Sequence, residues 1–231
     1  MIYLLAVIDE PDAAVRALSA VTDRDISLVC RHPVACIGVG WSEALPEPGA
    51  ESLRSHDRMV QSLMRVGAVV PFRFATVVAD ASEVDAWLGE RTEELISLLA
   101  QLRGRVEMAV RASVAGGPDQ PEARTGRGYL EALRRERTAE PALAGVHRDL
   151  SAAAAGSVLS VGDRRRVTGS YLVDAGRVDS FRERAERLAS ESPEIVSFSV
   201  TGPWAPYSFV GTPAEAPLAG AGAPSRGRPH A

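Results

Sequence analysis

The sequence contains no lysine and no asparagine, so its 26 basic residues are all arginines. Set against 30 acidic residues, they leave a formal net charge of -4. This mildly acidic balance provides no broad positive field for nucleic acid or an anionic membrane. A phosphate-binding loop of the Walker type is excluded as well, because that loop requires a lysine. The composition therefore predicts neither nucleic acid nor membrane as a partner.

Cysteine and histidine are scarce. The two cysteines, Cys30 and Cys36, are too few for the disulfide framework of a secreted domain and are predicted to be reduced and buried. A zinc site needs about four Cys or His ligands, and only Cys30, His32 and Cys36 cluster here. None of the four histidines lies in a catalytic motif. The sequence thus predicts no metal, no cofactor and no enzyme activity.

Long apolar runs are also missing. The longest, 66–79, is interrupted by Arg73 and is shorter than the ~20 residues of a membrane helix. The apolar stretch 3–8 has no basic leader and runs into an acidic turn, which is not the pattern of a signal peptide. We therefore expect a soluble cytoplasmic protein.

The first part of the chain has the order of elements of a ferredoxin-like fold. A fully apolar strand is followed by an amphipathic helix carrying Val15 and Leu18, then by two short β-rich runs around a proline turn. A second amphipathic helix and a further apolar strand complete a βαββαβ order. The predicted strands are 2–8, 26–30, 34–39 and 69–74, and the second helix is 51–66.

The same order recurs after a long amphipathic helix at 81–102, which is predicted to connect two halves. Strand 105–114 alternates, with Met108 on the dry face and Glu107 on the wet face. The predicted class is α+β, with two ferredoxin-like halves and a disordered tail rich in Pro, Gly and Ala. The further elements are a helix at 128–155, strands at 158–161 and 167–173, a helix at 178–190 and a strand at 195–201; the domains are 1–80, the connecting helix 81–103, 104–211 and the tail 212–231.

Two segments contain residues that are energetically unfavourable in a buried, regular strand. Arg73 sits in the apolar run 69–74, so its guanidinium must find a carboxylate or carbonyl partner or reach the surface. The run 202–209 contains two prolines and three aromatics, which disfavour a regular strand. Each segment has two interpretations: a structural salt bridge or a binding role for Arg73, and a cover over the core or a partner-docking surface for 202–209.

The remaining polar clusters favour ordinary surface roles. His56 and Asp57 are adjacent on a helix and do not face each other, so they predict a polar patch rather than an acid–base pair. His147 lies in an Arg-rich helical region and is predicted to be solvated. The basic run 164–166 predicts a solvated hairpin tip, since no aromatic platform for RNA is interleaved with it.

An ordered set of motifs carries a family resemblance, and it spans much of the chain before the tail. The sequence resembles the gas vesicle protein GvpF/GvpL family. It departs from the usual family pattern at Ala75, where members carry glycine, at Met108, where they often carry tryptophan, and at Ala205, where they carry proline. The matching stretches are His56-Asp57-Arg58, Val69-Val70-Pro71-Phe72-Arg73-Phe74, Gly104-Arg105-Val106-Glu107-Met108-Ala109-Val110-Arg111, Gly128-Tyr129-Leu130, Gly169-Ser170-Tyr171-Leu172-Val173-Asp174 and Gly202-Pro203-Trp204-Ala205-Pro206-Tyr207-Ser208-Phe209-Val210.

The resemblance implies a non-enzymatic accessory or minor component of gas vesicles, located in the cytoplasm at the vesicle. It implies binding to the small hydrophobic shell protein during assembly, with other accessory proteins as a further class of partner. The alternative hypotheses are an enzyme or haem protein, with His147 as axial ligand of the haem, and a regulatory module that senses a small molecule. The residues expected to contact the partner are Pro71, Arg73, Phe74, Trp204, Tyr207 and Phe209.

Overall fold

A computed structural model describes residues 1–31, 33–42, 47–114, 141–163 and 166–210. These residues group into two compact units, an N-terminal unit Met1–Gln101 and a C-terminal unit Leu102–Gly211. The predicted disordered tail and the Arg-rich segment before residue 141 lie outside the described residues.

The N-terminal unit has the predicted βαββαβ order, with a two-residue strand added after it. Its four main strands form an antiparallel sheet in the order β2-β3-β1-β4, and the short β5 pairs with β1. The long helix α3 follows, and Asp80 caps it by accepting the backbone N–H of Ser82 at 2.8 Å. The elements are β1 Ile2–Ile8, α1 Pro11–Ser19, β2 Ile26–Arg31, β3 Val34–Gly40, α2 Ala50–Met64, β4 Val69–Pro71, β5 Val77–Val78 and α3 Ala81–Leu102.

The C-terminal unit repeats the βαββαβ order within the described residues. Its sheet is antiparallel in the order β7-β8-β6-β9. The α+β class with two antiparallel sheets is therefore confirmed. The elements are β6 Arg105–Val114, α4 at 141–151, β7 Gly156–Asp163, β8 Arg166–Asp174, α5 Val178–Ser190 and β9 Ile195–Trp204, followed by a 3-10 turn Tyr207–Phe209.

The core of the N-terminal unit contains two strands that are buried almost throughout, β1 and β3. In β1, every residue from Tyr3 to Ile8 is buried, which explains its continuous apolar sequence. In the C-terminal unit, one face of the sheet packs against α4 and α5. Met108 and Val110 of β6 point to that face, as their alternation predicts. The helices thus cover one face of this sheet and leave the aromatic segment after β9 beside the other.

Candidate functional site

The loop after β4 carries three of the predicted contact residues. The predicted strand 69–74 ends at Pro71, which is buried and pairs with Ala6 of β1. Arg73 therefore lies beyond the strand and is exposed, while Phe74 is half-buried. The guanidinium reaches the surface, which is one of the two outcomes that desolvation allows. Arg73 is accordingly available to a partner.

A buried histidine and its tyrosine partner hold the backbone of this loop through hydrogen bonds. Tyr3 donates its hydroxyl hydrogen to His56 Nδ1 across 2.8 Å, and its oxygen accepts the Ala75 N–H at 3.3 Å. The His56 ring also hydrogen-bonds the backbone of Phe72. His56 is only 4% exposed, so the predicted surface patch is wrong for this residue. The residues on both sides of Arg73 and Phe74 are thereby tied to the core.

Burial favours the neutral forms of both His56 and Tyr3. It lowers the pKa of His56 to about 4, against a smaller opposing effect of the hydrogen bond to Phe72. It also raises the pKa of Tyr3 to about 12. The pair is consequently an uncharged hydrogen-bonded link at neutral pH.

Phe74 packs edge-on against the same pair. Its ring centroid lies 6.4 Å from that of Tyr3 and 5.9 Å from that of His56. The Trp41 ring is tilted against Tyr3 with the two centroids 5.2 Å apart, and the Arg24 guanidinium lies 4.0 Å from the centroid of the Trp41 ring. The exposed part of Phe74 is thus one side of an ordered aromatic cluster.

The backbone conformation of Ala75 explains why glycine suits this position. Its φ is +64°, a left-handed conformation that disfavours a residue with a Cβ. Glycine removes this strain, although it gains backbone entropy in the unfolded chain. We expect Ala75→Gly to stabilise the N-terminal unit by about 0.5–1 kcal/mol. Urea unfolding of the two proteins at pH 7.5 measures the difference, and an Ala75→Gly variant that is less stable than the parent would contradict the strain.

The second segment is partly a strand and partly a turn. β9 continues through Gly202 and the cis-bonded Pro203 to Trp204, which pairs with Glu107 of β6. Pro203 lies inside this edge strand, but the register with β6 shifts between Glu107 and Ala109, opposite Gly202 and Pro203, so the strand is irregular there, as the prolines predict. The chain then turns at Tyr207–Phe209 and folds back over the sheet.

A buried carboxylate anchors this turn. Glu107 is 7% exposed and accepts the Ser208 N–H at 2.8 Å and the Ser208 hydroxyl at 2.7 Å. The Ser208 oxygen also lies 3.0 Å from that of Ser170 on β8. The alternation of β6 placed Glu107 on a wet face, and no local signal points to a partner 101 residues away. Sequence reasoning missed this residue.

The three aromatics of the segment differ in exposure. Trp204 is 42% exposed, and its Nε1–H donates to the Thr201 hydroxyl at 3.3 Å. Tyr207 and Phe209 are half-buried, and the Phe209 ring lies against Gly156 of β7. The segment therefore covers the sheet and leaves one indole exposed to solvent. The docking role of this segment stays a prediction.

His147 is not solvated as predicted. It is half-buried on α4, and its Nδ1 lies 2.9 Å from the Tyr171 hydroxyl of β8. One ring nitrogen is thus already occupied by a core contact. Among the described residues, no group of three or more His, Cys, Asp or Glu could hold a metal ion.

The two cysteines lie on neighbouring strands of one hairpin, β2 and β3. Both are free thiols. Cys36 is buried, but Cys30 is exposed on the edge strand, so the prediction of two buried thiols is wrong for Cys30. The burial of Cys36 raises the pKa of its thiol well above the usual range.

In the part of the chain that the structure covers, we find no helix with the length and apolarity to span a membrane.

Comparison with known proteins gives one consistent result. The family model "Gas vesicle synthesis protein GvpL/GvpF" matches residues 1–211. Gas vesicle protein L of Streptomyces sp. (strain CB03234) is 33% identical over 188 residues, covering 70% of each chain. Gas vesicle protein F of Haloferax mediterranei is 26% identical over 170 residues, covering 71% of this chain and 72% of the relative.

Solved structures share the fold. The crystal structure of the gas vesicle protein GvpF from Anabaena sp. PCC7120 matches with a TM-score of 0.69 at 16% identity, over 90% of this chain and 95% of that chain. GvpF from Microcystis aeruginosa matches with a TM-score of 0.67 at 15% identity, over 90% and 98%. On the family match over residues 1–211, the chain belongs to the GvpL/GvpF family of gas vesicle proteins.

Proposed function

We propose that this chain is an accessory protein of gas vesicle assembly that binds the hydrophobic shell protein before it is incorporated. The observation that carries the proposal is the family match over residues 1–211, whose description names gas vesicle synthesis. A shell protein with an apolar face aggregates unless that face is covered, and a folded binder with exposed apolar side chains can cover it. The chain acts in the cytoplasm and at the vesicle, by binding rather than by catalysis.

The exposed members of the candidate set make the contacts. Arg73 in the N-terminal unit and Trp204 in the C-terminal unit are accessible, and both residue types are frequent at the energetic centres of interfaces. Pro71 is buried, so its role is to shape the loop. Phe74, Tyr207 and Phe209 offer partial ring surface beside these two residues. Other gas vesicle accessory proteins are a further class of partner.

Alanine at either exposed position is expected to weaken binding of the shell protein by about tenfold. Because Arg73 and Trp204 are exposed, Arg73→Ala and Trp204→Ala should both fold. The measurement is retention of the purified shell protein on the immobilised full chain.

Leu53→Ala and Ile96→Ala are matched controls, since these residues are 46% and 39% exposed on helix surfaces outside the candidate set. They should retain the shell protein like the parent. Parent protein that retains no shell protein at any salt concentration would reject the proposed function.

A further inference from the structure

Within the described residues the two sheets have four edges, formed by β2 and by β4 with the two-residue β5 in the N-terminal unit, and by β7 and β9 in the C-terminal unit. An edge strand presents unpaired backbone N–H and C=O groups that another extended chain can bind. Folded proteins block such edges with proline, with charge, with bulges or with very short strands. The four edges can therefore be compared by the device that each one carries.

Two of the edges are blocked, and a third presents little apolar surface. β4 has only three residues and ends with a proline, and β5 beside it has only two residues. β9 contains Pro203, and its pairing with β6 is irregular at two places. These features hinder the addition of a regular strand. In β2 the apolar residues Ile26, Leu28 and Val29 are half-buried, and the strand ends at Arg31, whose guanidinium donates to both carboxylate oxygens of Asp85 on α3 at 3.1 and 2.8 Å.

β7 has none of these devices along most of its length. Its eight residues Gly156–Asp163 include no proline and no charge before the final aspartate. Its pairing with β8 is regular from Gly156 to Val161, and within the described chain no strand pairs with its other side. Val158 and Leu159 are 43% and 40% exposed. The edge is long, uncharged and apolar.

The side chains of this edge define what it can bind. Val158 is paired with Ser170 and Leu159 with Gly169, so these consecutive residues point to opposite faces of the sheet. A strand added beside them would meet an exposed apolar side chain on each face. Without a charge between Gly156 and Gly162, the edge offers no partner to a charged side chain. The matching ligand is an uncharged, apolar extended segment.

We propose that the free edge of β7 binds the shell protein by strand addition, pairing its backbone with an apolar extended segment of that protein. This inference rests on the proposed function and identifies where and how the contact is made. Main-chain hydrogen bonds supply affinity in this mode, and flanking side chains supply selectivity. A binder of this type covers the backbone edge of an aggregation-prone segment as well as its apolar face.

Lysine is the natural blocker of an edge, so Val158→Lys tests the proposal. We expect Val158→Lys to lower the affinity for purified shell protein at least about tenfold. Val196→Lys is the matched control, because Val196 is 61% exposed on β9, the other edge of the same sheet, and should stay within about twofold of the parent. Thermal melts of both variants verify that the full chains remain folded.

Amide hydrogen exchange distinguishes strand addition from side-chain contact. The amides of β7 should exchange more slowly when shell protein is added to the full chain, which side-chain docking alone does not cause. Equal effects of Val158→Lys and Val196→Lys, or unprotected β7 amides in a complex that forms, overturn the edge inference while the proposed function stands. A parent chain that binds no shell protein rejects the proposed function itself. If the chain alone dimerises with protection of β7, the occupant is a second copy and the assigned partner is wrong.

Discussion

Replacing Gly202 by alanine is expected to destabilise the C-terminal unit by about 3–5 kcal/mol. The φ of Gly202 is +122°, a region that residues with a Cβ rarely adopt. An added Cβ would also lie 2.7 Å from the Glu107 carbonyl oxygen and 2.9 Å from Met108 Sδ. The backbone contact cannot be relieved by a rotamer change. Because the side-chain carboxylate of this same Glu107 anchors the turn, a shift of its backbone should also reduce the order at Ser208.

Two other glycines of the same unit separate the cost of backbone strain from the cost of the close contact. Gly104 has a φ of +68° with no atom within 4 Å of an added Cβ, so Gly104→Ala measures backbone strain alone, about 1–2 kcal/mol. Gly176 has neither a positive φ nor a close neighbour, so Gly176→Ala should be neutral or slightly stabilising.

Urea unfolding of the three full-length variants, with hydrogen exchange of β6 and β9, gives the comparison. A Gly202→Ala variant as stable as Gly104→Ala would show that the close contact has no energetic effect.

Four elements have the predicted bounds, namely β1, α3, β6 and α5. The last three carry a sustained 3.6- or 2-residue period, whereas β1 is a continuous apolar run that ends at Asp9. β4 is shorter than predicted because the apolar pattern continues past Pro71 into the loop. An apolar run reports burial, and both buried strands and buried loops produce it.

The interior polar contacts could not be predicted, because they join residues that are far apart in the sequence. His56 meets Tyr3 across 53 positions, and Glu107 meets Ser208 across 101. The helical and strand periods place His56 and Glu107 only on a face, and they do not show what covers that face. Pairwise contacts of this kind depend on the tertiary arrangement, which a single sequence does not display.

The exposure of each candidate contact residue could not be predicted from the sequence. The sequence marked 69–74 and 202–209 through the cost of their polar or rigid residues, and both segments contain an exposed member. Which member is exposed depends on where each strand ends. The edge position of β7 was equally hidden, because the order of strands in a sheet is a property of the fold rather than of any strand sequence.

Acid is expected to destabilise the N-terminal unit through His56. The pKa of this ring falls from 6.5, the ordinary value taken for the unfolded chain, to about 4 in the folded protein. The folded state therefore favours the neutral ring, and protonation favours the unfolded state. Stability from this group is complete above pH 6.5 and declines as the pH falls toward 4, by about 3 kcal/mol in all. The protonated ring can no longer accept the Tyr3 hydrogen, so the loop bearing Arg73 loses its anchor.

His56→Gln isolates this effect from the carboxylates that titrate in the same range. Glutamine has an acceptor oxygen and a donor nitrogen but no proton to gain, so the variant should lack this component of the pH dependence. Urea unfolding from pH 7.5 to 4.5 in a Trp204→Phe background uses Trp41 and Trp87, both of the N-terminal unit, as reporters. The parent should lose stability more steeply than His56→Gln below pH 6.5. The prediction would be wrong if the free energy of unfolding fell equally with pH in the two proteins. The buried hydrogen bond between His56 and Tyr3 would then contribute no pH-dependent stability.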